Sequence, residues 1–534
     1  MTHLLLLISL VILTCILCNR ITTRFGVPML LAFIVLGMVF GSEGIFRIPF
    51  DDFQFAETIC SVALIFIMFY GGFGTRWKAA RPIAGKAILL SSAGTILTAL
   101  LTGLFCHFVL GFSLLEGLLT GAVLGSTDAA SVFSVLRSQK LSLKYNTDSL
   151  LEVESGSNDP FAYMLMVIIL SAMQNGSGGN LPLQIFSTAF SQVIFGIIPG
   201  LAIALAARWF LDNFTFETNG FDAAFMLATA VLAYALPSSI GGNGYLSTYL
   251  VGIILGNHSI RNKKSLVNFF DGLTSLMQML IFFILGLLSF PSRIAAVWIP
   301  ALGIAFFLTL IARPLVIALL MTPMKAPFHQ QLLVSWAGLR GAASIVFAIM
   351  AVMGGVTLEH DLFHIVFCIV LLSISIQGTL LPWCARKTKM INESGNVLTT
   401  FNDYTDEIDV QFISISITGN HPWAGKTVRE LDLPPGSLLV FLRRGGKNFV
   451  PKGDTVIEEG DALVLSASAY TGEDDIHLRE IPINQFHDWC GKTVKDLVLP
   501  KNSLIILIRR GEESIIPSGQ TQILPGDLIV LNTV

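Results

Sequence analysis

Leu150-Leu151-Glu152-Val153-Glu154-Ser155-Gly156-Ser157-Asn158-Asp159-Pro160-Phe161 opens an otherwise apolar segment that runs to residue 173. On a helix, Ser155 and Asp159 share one face. Glu154 and Asn158 share the next, about 100° away. One helix thus offers a neighbour carboxylates, a carboxamide and the hydroxyls of Ser155 and Ser157. Each ionised group inside an apolar span costs roughly 3 kcal/mol on insertion scales and needs a reason. Hard oxygen groups of this kind suit a monovalent cation, whose hydration shell they can replace.

The surrounding chain has the composition of a membrane protein. It is 53% hydrophobic and 13% charged over 534 residues. Of its Lys and Arg, 18 fall in residues 1–385 and 15 in 386–534; of its Asp and Glu, 16 and 20. A membrane domain over 1–385 is therefore expected, then a linker over 386–409 and a soluble tail. Net charge is −3 with no basic block, so nucleic acid is not a partner. The seven cysteines give no disulfide or metal framework, and Cys15-x-x-Cys18 lies in an apolar run. Thirteen spans are expected, near 3–19, 26–41, 56–73, 84–111, 113–136, 150–173, 184–211, 222–237, 243–257, 268–290, 297–322, 331–354 and 361–385. The segment from Met1 lacks an early positive region and a small-x-small cleavage site, so it is read as a span. With the N-terminus outside, seventeen Lys and Arg fall on the inner side and only Arg47 and Arg293 on the outer. That arrangement predicts a cytoplasmic tail.

Three further features mark a transport site. Gly125-Ser126-Thr127-Asp128-Ala129-Ala130-Ser131 weakens the fifth span at its middle, where Asp128 can cap a half-helix. Arg313 and Arg340 lie deep in later spans, and a buried guanidinium requires a carboxylate such as Glu154 or Asp128. Gly338 and Gly341 flank Arg340 and allow the twelfth span to break as well. Two broken helices seven spans apart suggest inverted repeats.

Thr127-Asp128, Glu154-Ser155 with Asn158-Asp159, and Gly338-Leu339-Arg340-Gly341-Ala342 together resemble the NhaP-type bacterial cation/proton antiporters. Glu154 to Pro160 is especially similar to the potassium/proton branch once called cell volume regulation proteins. The resemblance implies a dimeric fold of about thirteen helices, with broken crossing helices and a core that moves against a fixed dimerisation domain. It implies that Asp159 binds cation and proton in turn, with Thr127 and Ser155 as further cation ligands beside Asn158 and Asp128. It makes Glu154 the partner of Arg313, with Arg340 as the alternative. Many relatives have proline after Thr-Asp; here Ala129 stands there, so the break has less local cause.

The tail repeats itself. Trp423-Ala424-Gly425-Lys426-Thr427-Val428 recurs as Trp489-Cys490-Gly491-Lys492-Thr493-Val494, and Arg443-Arg444-Gly445 as Arg509-Arg510-Gly511, always 66 residues on. Alternation over Ile413–Thr418 and the run Leu438–Leu442 read as strands. Each unit, 410–472 and 473–534, resembles a TrkA-C domain. That resemblance implies small α/β dimers binding small ligands, often nucleotides, with Arg443, Arg444, Arg509 and Arg510 available to an anion. Gly425-Lys426-Thr427 lacks the upstream glycine of a phosphate loop.

The expected function is a non-enzymatic, electroneutral antiporter of a bacterial cytoplasmic membrane, exchanging potassium, and sodium also, for protons. It needs no cofactor for transport, and it is expected to be regulated by its cytoplasmic tail, with a nucleotide as the expected tail ligand. A tail-gated potassium channel would need a Thr-Val-Gly-Tyr-Gly-like filter, and an intramembrane aspartyl protease Tyr-Asp and Gly-x-Gly-Asp motifs; the chain has neither.

Overall fold

The computed structural model describes Ser9, Leu13, Thr14 and residues 29–139, 141–175, 181–214, 220–260, 263–392, 410–419, 421–433, 437–445, 447–468, 477–485, 487–497, 499, 503–510, 513–515 and 517–533. The rest of the first expected span, Cys15, Cys18, Arg20, Arg24, Lys140, Arg261 and residues 393–409 lie outside them. The chain divides into two compact units between Tyr404 and Thr405.

From residue 29 to 392 the chain is a helical bundle: α1 (Met29–Phe40), α2 (Phe53–Gly74), α3 (Ala84–Leu110), α4 (Leu114–Val123), α5 (Ala129–Ser138), α6 (Thr147–Asn175), α7 (Leu181–Asn213), α8 (Phe221–Ser239), α9 (Gly244–Gly256), α10 (Lys263–Leu288), α11 (Pro291–Met321), α12 (Phe328–Trp336), α13 (Ala342–Met353) and α14 (Leu362–Lys387). Seven of these are long and apolar enough to cross a membrane, and α1, α4, α9 and α13 are shorter apolar helices. Every segment expected from residue 26 onward coincides with one helix or with a broken pair. The fifth span splits into α4 and α5 and the twelfth into α12 and α13, as their glycines and polar residues led us to expect. Side chains start the helices where sequence provides a cap: Asp52 accepts from the Phe55 N–H at 2.9 Å, and Asn243 from the Leu246 N–H at 3.0 Å.

Packing sorts the helices into two groups. Toward the end rich in Lys and Arg, one apolar cluster joins α3, α5, α6, α11, α12 and α14, with Leu90, Val132, Leu151, Ile317 and Leu333 at its centre. A separate cluster there joins α2, α7, α8, α9 and α10 through Phe73, Ala207, Met226, Val251 and Phe270. Toward the opposite end a single large cluster spans both groups and contains Ile34, Leu64, Tyr245, Phe347 and Phe363. The two groups are thus welded at one end and packed separately at the other.

The tail holds two four-stranded antiparallel sheets with the same strand order. β1 (Val410–Ser416), β2 (Leu438–Arg444), β3 (Lys447–Phe449) and β4 (Ala462–Ser468) run β1-β4-β2-β3. β5 (His477–Pro482), β6 (Ser503–Arg510), β7 (Glu513–Ile515) and β8 (Asp527–Thr533) run β5-β8-β6-β7. Even the bulge recurs, between Leu439 and Phe441 and again between Ile505 and Leu507. Gly460 and Gly526 take φ of +87° and +91° before their aspartates, a conformation that favours glycine. Thr427 caps a 3-10 turn in a capping box with Glu430, which places Gly425-Lys426-Thr427 in a structural turn.

Candidate cation-binding site

The break after α4 leaves carbonyls without helical partners. Arg340, 2% exposed, supplies them. Its guanidinium Nη1 donates to the carbonyls of Leu124 and Ser126, the latter at 2.8 Å. Its own backbone N–H donates to Ser373 Oγ at 2.9 Å, within a π turn (Ser373–Gly378) of α14. The expectation that Arg340 answers a carboxylate is therefore corrected: it neutralises the negative end of a half-helix. The two breaks also bond to each other, Asp128 N–H to the Leu339 carbonyl at 2.8 Å.

Asp128 balances the opposite charge. Its carboxylate accepts the Ser131 N–H at 3.1 Å and the Ser131 hydroxyl at 2.5 Å, capping α5 as the sequence suggested. It also lies against Gly341, the N-cap of α13, where a Cβ would stand 2.3 Å from Asp128 Oδ2. One carboxylate thus serves the positive ends of two half-helices. This arrangement is why the helix breaks without proline at Ala129: the crossing partner supplies what local sequence does not.

Between these compensated ends sits the polar face of α6. The Ser126 hydroxyl donates to Asp159 Oδ1. Ser155 Oγ donates to the Thr127 carbonyl at 2.7 Å, and Asn158 Nδ2 to Thr127 Oγ1 at 2.6 Å. The Thr127 N–H returns to Asn158 Oδ1 at 3.4 Å. The unwound segment and α6 thus bring Thr127, Ser155, Asn158 and Asp159 together, all buried. Among the described residues no Lys, Arg or His lies within ion-pair distance of Asp159. A lone buried carboxylate of this kind is costly when charged, and a proton or a small cation removes the cost. Ser126 was missed by sequence reasoning. Its signal was available, since it adjoins Thr127 in the segment already read as a break.

Glu154, one helical turn from Asn158 on α6, has a partner of its own. Arg313 Nη2 donates to Glu154 Oε1 at 2.5 Å, with side-chain exposures of 5% and 1%. A π turn (Leu308–Ala312) precedes Arg313. Gly338 leaves it room, since a Cβ there would stand 2.8 Å from Arg313 Nε.

In the tail, Arg444 and Arg510 are not available to an anionic ligand as expected. Arg444 Nε and Nη2 clamp the two oxygens of Asp461, each at 2.7 Å. Arg510 clamps Asp527, each bond at 2.8 Å. The guanidinium holds each aspartate below the usual carboxylate range. Arg443 and Arg509 remain at the surface.

Residues 8–387 match the family model described as sodium/hydrogen exchanger, transmembrane, and residues 412–469 and 478–532 match the TrkA-C domain. The chain is similar to the K(+)/H(+) antiporter NhaP2 of Shewanella sp. (strain ANA-3), 33% identical over 84% of this chain and 78% of that one. It is similar to the K(+)/H(+) antiporter NhaP of Alkalimonas amylolytica, 33% identical over 86% and 80%. In fold it resembles the sodium proton antiporter MjNhaP1 of Methanocaldococcus jannaschii at pH 8, with TM-score 0.63 and 23% identity over 72% of this chain and 99% of that one.

Proposed function

Since this chain belongs to the sodium/hydrogen exchanger family and is a membrane cation/proton antiporter rather than an enzyme, we propose that Asp159 is the carboxylate proton and cation occupy in turn. The observation that carries this reading is a buried carboxylate bonded to the Ser126 hydroxyl and lacking a cationic partner among the described residues, at the crossing of two broken spans. Thr127, Ser155 and Asn158 contribute oxygens to the same site, and the Glu154–Arg313 ion pair ties α6 to α11. Potassium is the principal cation, because the relatives at 33% identity are named K(+)/H(+) antiporters, and sodium is the second. No cofactor is needed for transport.

Competition for one site explains exchange: only a neutralised carboxylate crosses the apolar barrier, so a proton travels one way and a cation the other. Asn158 cannot titrate, so one proton moves per monovalent cation and the cycle is electroneutral. Access alternates by movement of the group containing α6 against the group containing α9, in a homodimer of a bacterial cytoplasmic membrane with its N-terminus outside. The membrane domain (1–385) continues through a linker (386–409) into two TrkA-C units (410–472 and 473–534), which bind a regulatory nucleotide in the cytoplasm.

The test is proton flux in proteoliposomes driven by each alkali cation. Wild type is expected to respond most to potassium. Asp159→Asn is expected to abolish exchange for every cation while the purified protein still elutes as wild type. Exchange retained at any pH by Asp159→Asn sinks the assignment.

A further inference from the structure

We propose that Asn243 is a positioning residue for transport, whose carboxamide latches the Asp159-bearing helix to the opposite helix group. The proposal rests on the reading of α6 as the moving element, and concerns what holds it between movements.

Asn243 ends the turn Gly241-Gly242-Asn243-Gly244 that leads into α9. The turn is held tightly by its own group. Gln192 accepts the Asn243 N–H on its carbonyl at 3.0 Å, and Ser191 Oγ donates to the Gly241 carbonyl at 3.0 Å. A Cβ on Gly242 would stand 2.4 Å from the Phe195 carbonyl carbon, and one on Gly196 would stand 3.0 Å from the Asn243 carbonyl oxygen. Asn243 is thus presented from a surface with no room to give. Its side chain serves two masters. Oδ1 accepts from the Leu246 N–H and caps α9, while Nδ2 crosses to the other group and donates to the Pro160 carbonyl at 2.8 Å. Pro160 follows Asp159 directly.

The neighbouring contacts between α9 and α6 are of a different kind. Tyr245 meets Tyr163 edge-on at 5.0 Å between ring centroids, and also touches Tyr234 and Phe347. Gly156 lies under the ring of Tyr249, where a Cβ would come within 2.9 Å. Apolar and aromatic contacts tolerate sliding, because the hydrophobic effect has no direction. A hydrogen bond does not: it weakens steeply beyond about 3.2 Å and below about 120°. Asn243 therefore adds a directional contact to a largely apolar interface, one residue from Asp159, whereas the Gln184 to Ser171 bond between α7 and α6 lies three turns further along α6. The bond belongs to the arrangement seen here, with the two groups welded around Tyr245. It must break when α6 moves relative to α9.

A bond made in one arrangement and lost in the other biases their ratio by about two- to tenfold. Asn243→Ser keeps a capping oxygen for α9 but is too short to reach Pro160, so it separates the latch from the cap. Ser191→Ala disturbs the same turn without touching α6 and serves as control. Hydrogen–deuterium exchange of the purified full-length protein reads the interface directly. Asn243→Ser is expected to raise uptake about two- to tenfold in peptides covering residues 160–170 and 243–249, leaving the tail and α10 at wild type. Its maximal proton flux in proteoliposomes is expected to change while half-saturation by potassium at fixed pH stays within about twofold. Uptake equal to wild type, an equal rise in Ser191→Ala, or a rise spread over every helix each overturns the latch. Because deuterium uptake needs no transport, a failed assignment of Asp159 leaves this result readable by itself.

Discussion

Glu154 and Arg313 show how burial decides the value of a single pair. Both side chains are almost fully covered, so neither charge has water to fall back on. An arginine does not neutralise itself by losing its proton. Removing one partner leaves a stranded charge, which costs about 3–5 kcal/mol. Glu154→Gln and Arg313→Met should each lower thermal stability by that order, with transport falling as a consequence. The double variant should recover part of the loss. A double-mutant cycle with coupling below about 0.5 kcal/mol would show that the pair does not act as one unit. The residue scale was also where sequence spoke most plainly, because ionisable groups in apolar runs are rare enough to be noticed singly. Arg340 was noticed for that reason, yet its partner was misassigned. Sequence shows the charge that must be answered, but backbone carbonyls freed by a break elsewhere carry no mark in the sequence.

Half-helices work in pairs here, and the close approach of one pair is set by Gly341. Its φ of −135° is ordinary extended backbone, so the demand for glycine is steric rather than conformational. A methyl group at 2.3 Å from Asp128 Oδ2 cannot be accommodated without moving the cap or the crossing. Gly341→Ala should therefore destabilise the membrane unit by about 1–3 kcal/mol and reduce exchange together with it. Wild-type melting and flux would show that the crossing tolerates separation. The elements of the tail make a different prediction. Asp461 and Asp527 are held below the usual carboxylate range by hydrogen bonds from Arg444 and Arg510. Groups with lowered folded pKa stabilise fully above the unfolded value of about 3.9 and lose that contribution as pH falls through the folded one. Asp461→Asn should destabilise the first sheet at neutral pH, and the difference from wild type should shrink below about pH 4. A difference independent of pH would contradict the clamp. Helix existence from residue 26 onward, and strand repetition at an interval of 66, were legible because periodicity and self-similarity are properties of sequence alone. The division of the bundle into two packed groups was not, because it depends on which apolar faces meet.

At the scale of the molecule, an exchanger needs no soluble domain to run its cycle, yet 412–469 and 478–532 form two copies of one fold. Duplication supplies two similar surfaces where a single anchor would need one. Arg444 and Arg510 clamp Asp461 and Asp527, and the preceding residues of the repeated motif, Arg443 and Arg509, are exposed cations at the tail surface that an anionic ligand can reach. A ligand regulates only if it binds one conformational state better than another, so its effect should appear in the pH dependence or the maximal rate of flux. The measurement is proton flux against pH, with and without adenine nucleotides, for wild type, a chain lacking 401–534, and the double variant Arg443→Ala with Arg509→Ala. A nucleotide acting through these arginines should move the wild-type profile, leave the truncated one still, and lose most of its effect in the double variant. An effect kept by the double variant but lost on truncation would place the ligand elsewhere in the tail. Identical profiles for wild type and the truncated chain under every nucleotide would remove regulation by nucleotide from the account of this antiporter.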